Sequence, residues 1–66
     1  LILASYFKEN KLYLEAIKEY KKIVNMQPNV DEFWEEYLQF LVDIGLKREA
    51  LSEWERSSFV LNRNQN

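Results

Sequence analysis

The 66-residue sequence contains neither cysteine nor histidine. Disulfides cannot staple it, and the Cys and His ligands of ordinary structural zinc sites are missing. Nucleophile–base pairs of the Cys–His or Ser–His kind cannot be built either. Glycine and proline occur once each, at Gly45 and Pro28, which argues against an all-β fold with its many turns. No apolar run approaches the ~20 residues that span a bilayer. There is no glycine-rich phosphate loop, and no cofactor is expected. A chain without cysteine suits an intracellular setting better than a secreted one.

What is present is apolar and aromatic. Hydrophobic residues make up 47% and aromatic residues 15%, too much for a disordered tail. A chain of this length buries only ~60% of its unfolded surface, so its core is marginal and good helix packing or neighbouring structure has to support it. Residue 1 is Leu, and residues 1–4 read as the interior of a helix, so upstream residues are expected. The charge is uneven. Residues 1–30 carry five lysines against three glutamates, a net +2. Residues 31–66 carry four basic against eight acidic residues, a net −4. An acidic half of that size is a poor surface for phosphates.

Four helices are expected. The first spans about 1–9 and ends at Asn10-Lys11, Asn being a residue that tolerates a left-handed cap. The second spans about 13–26, where Tyr13, Ala16, Ile17, Tyr20, Ile23 and Val24 recur at helical spacing. Pro28 forbids its continuation. Asp31 is the expected N-cap of a third helix over about 32–44. Its apolar residues Phe33, Trp34, Tyr37, Leu38, Phe40, Leu41 and Ile44 cover so wide an arc that burial on two sides is expected. Gly45 ends it. The fourth spans about 47–61, with Ala50, Leu51, Trp54, Ser58 and Leu61 as its inner face. Residues 62–66 form a polar tail. Joints this short bring consecutive helices together antiparallel.

Sliding the sequence by 34 residues aligns it with itself. Leu12 falls on Leu46, Glu15 on Glu49, Ala16 on Ala50 and Glu19 on Glu53. Conservative matches surround them: Leu3 with Tyr37, Tyr6 with Phe40, Phe7 with Leu41, Ile17 with Leu51, Tyr20 with Trp54. The joints coincide too, Lys11 on Gly45. So many matches in one frame, at expected core positions, indicate a repeat. Ala16 and Ala50 stand where two helices approach closely. Tyr20 and Trp54 are large knobs one turn on. Trp34 begins its unit and is expected to pack back on the preceding hairpin. A stack of two such hairpins leaves faces open.

This pattern resembles the tetratricopeptide repeat family. The second unit carries it as Trp34, Tyr37-Leu38, Leu41, Gly45, Ala50 and Trp54, and the first as Leu3-Ala4, Phe7, Ala16, Tyr20 and Pro28-Asn29. Leu38 stands where the family has a small residue, and Asn62 where it has proline. The half-a-tetratricopeptide (HAT) repeats of RNA-processing scaffolds are similar to the second unit, through Trp34-Glu-Glu-Tyr37, Phe40, Gly45, Ala50 and Trp54-Glu55-Arg56-Ser57. The first unit lacks that Trp and has Lys21-Lys22 in place of the Glu-Arg pair. Pentatricopeptide repeats share only the Gly45-to-Ala50 spacing.

The resemblance implies an all-α fold of two antiparallel hairpins, 1–30 and 31–66, stacked as an α-solenoid fragment. It implies a scaffold that binds a protein, peptide or partner subunit, with no catalysis. By position, a partner groove would show Leu1, Ser5, Lys8 and Glu9, then Glu32, Glu35, Gln39, Val42 and Asp43. Such an acidic groove favours a basic or amphipathic peptide. The Lys, Asn and Arg set with which co-chaperone members hold a carboxylate is absent. Two alternatives stand beside this reading. One is a HAT-like part of an RNA-processing complex, with RNA contact by Lys11, Lys18, Lys21 and Lys22. The other is self-association through the open faces.

Overall fold

In the computed structural model, which describes residues 2–61 and their side chains as far as residue 58, the chain forms four helices. They are α1 (Ile2–Glu9), α2 (Tyr13–Met26), α3 (Asp31–Asp43) and α4 (Lys47–Leu61). Each packs on the next along the chain: α1 on α2, α2 on α3, α3 on α4. Joints of three or four residues leave no other arrangement open to consecutive helices. No strand occurs among the described residues. None of these helices is long and apolar enough to cross a membrane. Leu1, the side chain of Leu61 and the 62–66 tail lie outside the described residues.

Two helix ends are built alike. After α1, Lys11 takes a left-handed backbone (φ 60°), its amide donates to the Lys8 carbonyl at 3.1 Å, and the Leu12 amide donates to Phe7 at 2.8 Å. After α3, Gly45 does the same (φ 88°), with its amide on Val42 at 3.0 Å and that of Leu46 on Leu41 at 2.8 Å. Both are Schellman caps, and each sets a leucine beside an apolar residue of the last turn. The left-handed residue is therefore Lys11 rather than the expected Asn10. Asn10 contributes differently: its side-chain Nδ2 donates to the Tyr6 carbonyl at 2.9 Å. Asp31 is likewise not the N-cap of α3. Val30 holds that place with extended backbone (φ −95°, ψ 102°), and no side chain caps it. Asp31 begins the helix instead, and with Glu32 puts negative charge in its first turn, where the helix dipole favours it.

The core runs through the α2–α3 seam. Tyr20 stacks on Tyr37 with ring centroids 5.7 Å apart and meets Phe40 at 5.1 Å. Ala4, Ala16, Val24, Trp34, Leu41 and Ala50 complete the buried set. All seven apolar residues of the α3 arc are buried or half-buried, as two-sided packing requires. Ala16 and Ala50 are both buried, small enough to let the backbones of each helix pair approach. Removing apolar surface from water at ~25 cal/mol per Å² is the main stabilising term for such a seam.

The inner face of α4 differs from expectation. Ala50 and Ser58 are buried, and Ser57 with them, but Leu51 is 62% and Trp54 39% exposed. The reason is that the backbone of α4 comes close only to that of α3 among the described helices, and α4 reaches α2 through the Arg56 side chain alone. Leu51 and Trp54 are left partly open on α4 with no further described helix over them, whereas their frame counterparts Ile17 and Tyr20 are covered by α3.

Candidate interaction surface

Trp34 anchors the start of α3. Its indole Nε1 donates to the Pro28 carbonyl at 2.8 Å, tying the helix to the joint before it. The other partner comes from α4: the Arg56 guanidinium lies 5.1 Å from the ring centroid of Trp34, a cation–π contact. Trp34 therefore packs forward under Arg56 as well as back on the joint. Arg56 also grips Glu53 in a fork, Nε to Oε1 at 2.8 Å and Nη2 to Oε2 at 3.2 Å, and its Nη1 donates to Asn25 Oδ1 on α2 at 3.1 Å. Tyr37 donates its phenol to Glu53 Oε2 at 2.6 Å. One arginine and one glutamate thus tie α2, α3 and α4 together on one side.

That side holds a groove of about 660 Å³ between α2 and α4, walled by Ile17, Lys21, Asn25, Leu41, Leu46, Glu49, Ser52 and the Tyr37–Glu53–Arg56 cluster. Arg56 and Glu53 pair with each other in its wall, and Lys21 and Glu49 share it, so it reads as a seam. The pKa directions agree. Burial, then the hydrogen bond to the Glu53 carboxylate and its charge, raise the Tyr37 phenol well above its ordinary value, with Arg56 opposing. Tyr20 is pushed up to about 12 by burial and, secondarily, by the charge of Glu36. Both phenols are protonated near neutrality and neither serves as a base.

The opposite side is different. An open cleft of about 500 Å³ between α3 and α4 has Leu38, Val42 and Trp54 as its apolar floor, with Asp31, Glu35 and Gln39 around them. Among the described residues, no lysine or arginine lines it. A second, separate cleft lies on α1, formed by Ile2, Ser5, Tyr6 and Glu9.

Of the nine residues expected to line one groove, Leu1 lies outside the described residues and the other eight are distributed. Glu35, Gln39 and Val42 come together in the α3–α4 cleft. Ser5 and Glu9 lie in the α1 cleft. Asp43 sits at the end of α3, where its Oδ1 accepts from Gln39 Nε2 at 2.8 Å. Glu32 is exposed on the first turn of α3, and Lys8 is half-buried in α1. Asp31, Leu38 and Trp54 belong to the cleft but were not among the expected groove residues. Trp54 was assigned to the core by its match with Tyr20, and the sequence carries no signal that this position opens. No family model, curated protein or solved structure matches this chain.

Proposed function

We propose that this chain is a protein-interaction scaffold, two tetratricopeptide-like hairpins (1–30 and 31–66) stacked as a piece of α-solenoid, without catalysis. The repeat part of this reading is supported by the paired Schellman caps, whose hydrogen bonds recur 34 residues apart. The same offset that aligns the sequence with itself aligns these backbone bonds. The binding part rests on one observation, the α3–α4 cleft. An apolar floor exposing a tryptophan, with carboxylates and, among the described residues, no cation at its edge, is complementary to an amphipathic helix bearing lysine or arginine beside its apolar stripe.

The RNA-scaffold alternative has less behind it. Lys22 is paired with Glu19 at 3.4 Å, and Lys21 shares its groove with Glu49 and Glu53. Phosphate contacts need cations that are not already facing carboxylates.

The test is a titration of a labelled amphipathic helical peptide of about 15 residues, long enough to hold a helix on binding, with leucines at i, i+3, i+4 and i+7 and lysines beside them. Binding is expected to weaken with added salt and to fall about tenfold in Glu35→Lys, since reversing a rim charge in a small interface costs on the order of 1 kcal/mol or more. A peptide that ignores both the cleft substitution and salt, or a single-stranded RNA that binds in its place with steep salt dependence, overturns the reading.

A further inference from the structure

Among the described helices, the backbone of the α1–α2 pair comes close to that of the α3–α4 pair along one line only, the α2–α3 seam. Neither α1 and α3 nor α2 and α4 approach each other in that way. The seam is built on rings, with Tyr20 stacked on Tyr37 and tilted against Phe40. Two bodies joined along a single line of contact can rock about it. Rocking in one sense narrows the groove between α2 and α4, where Tyr37 and Leu41 of α3 lie between the two walls.

Those walls are complementary in charge. Lys21 stands on the α2 wall and Glu49 on the α4 wall, and both are exposed. The ion pairs formed among the described residues, Lys22 with Glu19 and Arg56 with Glu53, include neither of them. Glu53 is taken by Arg56 and by the Tyr37 phenol, which leaves Glu49 as the wall carboxylate open to Lys21. One bond already spans the groove, from Arg56 Nη1 to Asn25 Oδ1 at 3.1 Å. The fork to Glu53 and the ring of Trp34 hold the guanidinium in position for it.

We propose that the two helix pairs hinge on the α2–α3 seam and that the α2–α4 groove is the side that closes. Lys21 and Glu49 draw it shut, and Arg56 on Asn25 limits how far it opens. An exposed ion pair is a weak closure, so open and closed forms coexist and salt moves the balance toward the open one. The α3–α4 cleft lies within one helix pair and moves as part of it, so the hinge holds whether or not that cleft receives a helix.

Paramagnetic relaxation in the whole chain tests it. Lys18 is exposed on α2 and does not line the groove. The chain has no other cysteine, so Lys18→Cys carries a single spin label. The label broadens the α4 amide signals of Glu49 and Ser52 more strongly the more the groove is closed. Between ~0.01 and ~1 M salt the Debye length falls from ~30 to ~3 Å. Over that range the broadening on α4 is expected to decline, while that on α1, which shares the labelled body, stays constant. Lys21→Glu and Glu49→Lys each set like charges across the groove, and each alone is expected to lose the low-salt broadening. Combined, they restore a pair of reversed sign, and both the broadening and its salt response are expected to return. Asn25→Ala removes the restraint on opening, so weaker broadening with the salt response retained is expected. Broadening on α4 that ignores salt overturns the proposal, and this result needs no substitution in the walls. So does a combined variant, folded by circular dichroism, that recovers nothing.

Discussion

Tyr20 and Tyr37 stack on each other, yet their hydroxyls have opposite circumstances. The Tyr20 hydroxyl is buried without a hydrogen-bond partner among the described residues. The Tyr37 hydroxyl holds the Glu53 carboxylate at 2.6 Å. An unsatisfied buried hydroxyl costs ~1–3 kcal/mol, and a hydrogen bond to a charged group contributes ~1.5–3 kcal/mol. Tyr20→Phe is therefore expected to be neutral or stabilising by up to ~2 kcal/mol in urea unfolding, while Tyr37→Phe destabilises by ~2 kcal/mol. Equal losses from both would contradict this assignment. The two left-handed residues make a second pair. Gly45→Ala forces a Cβ into φ 88°, and although nothing within 4 Å blocks it, the backbone strain should cost ~1–2 kcal/mol. Lys11→Gly relieves the same strain at φ 60° but loosens the unfolded chain, so a net gain of no more than ~1 kcal/mol is expected. Thermal melts of both variants check the contrast in sign.

At the scale of elements, most of what the sequence implied is found, and the departures have local causes. Helical spacing and the breaks at Pro28 and Gly45 were strong enough to place all four helices within a residue or so of their ends. The caps were less legible. A Schellman cap requires the left-handed residue to stand two past the last helical one, and that geometry selected Lys11 over the residue type better suited to it. Leu51 and Trp54 were illegible for a different reason: apolar periodicity marks a face that is able to pack, not one that has a partner. The cleft is built from that mismatch, which is why Trp54 was sought in the core. Ala16 and Ala50 are both buried, so Ala16→Leu and Ala50→Leu should each destabilise by ~1–3 kcal/mol through overpacking. Leu51→Ala, by comparison, removes an exposed side chain and should fall within ~0.5 kcal/mol of wild type.

The molecule as a whole measures 40 × 23 × 13 Å, with little depth for a core beyond the aromatic seam. Its stability should respond to alkaline pH through that seam. Tyr20 titrates at its ordinary 10 when unfolded and at about 12 in the fold, and Tyr37 is raised in the same direction. Between these values the folded chain keeps protons that the unfolded chain has lost. Stability therefore holds below about pH 10 and falls as pH rises toward 12, and urea midpoints across that range should show the decline. Tyr20→Phe should flatten part of it.

If the α3–α4 cleft receives a helix, the two tryptophans report on it separately. Trp34 is buried and bonded to Pro28, whereas Trp54 lines the cleft. Two-dimensional 15N–1H NMR resolves their indole signals in one spectrum. On adding the basic amphipathic peptide to dilute protein, the Trp54 indole and the amides of Leu38 and Val42 are expected to shift while the Trp34 indole stays in place. Shifts confined to the α2 lysines, or none at all, would contradict it.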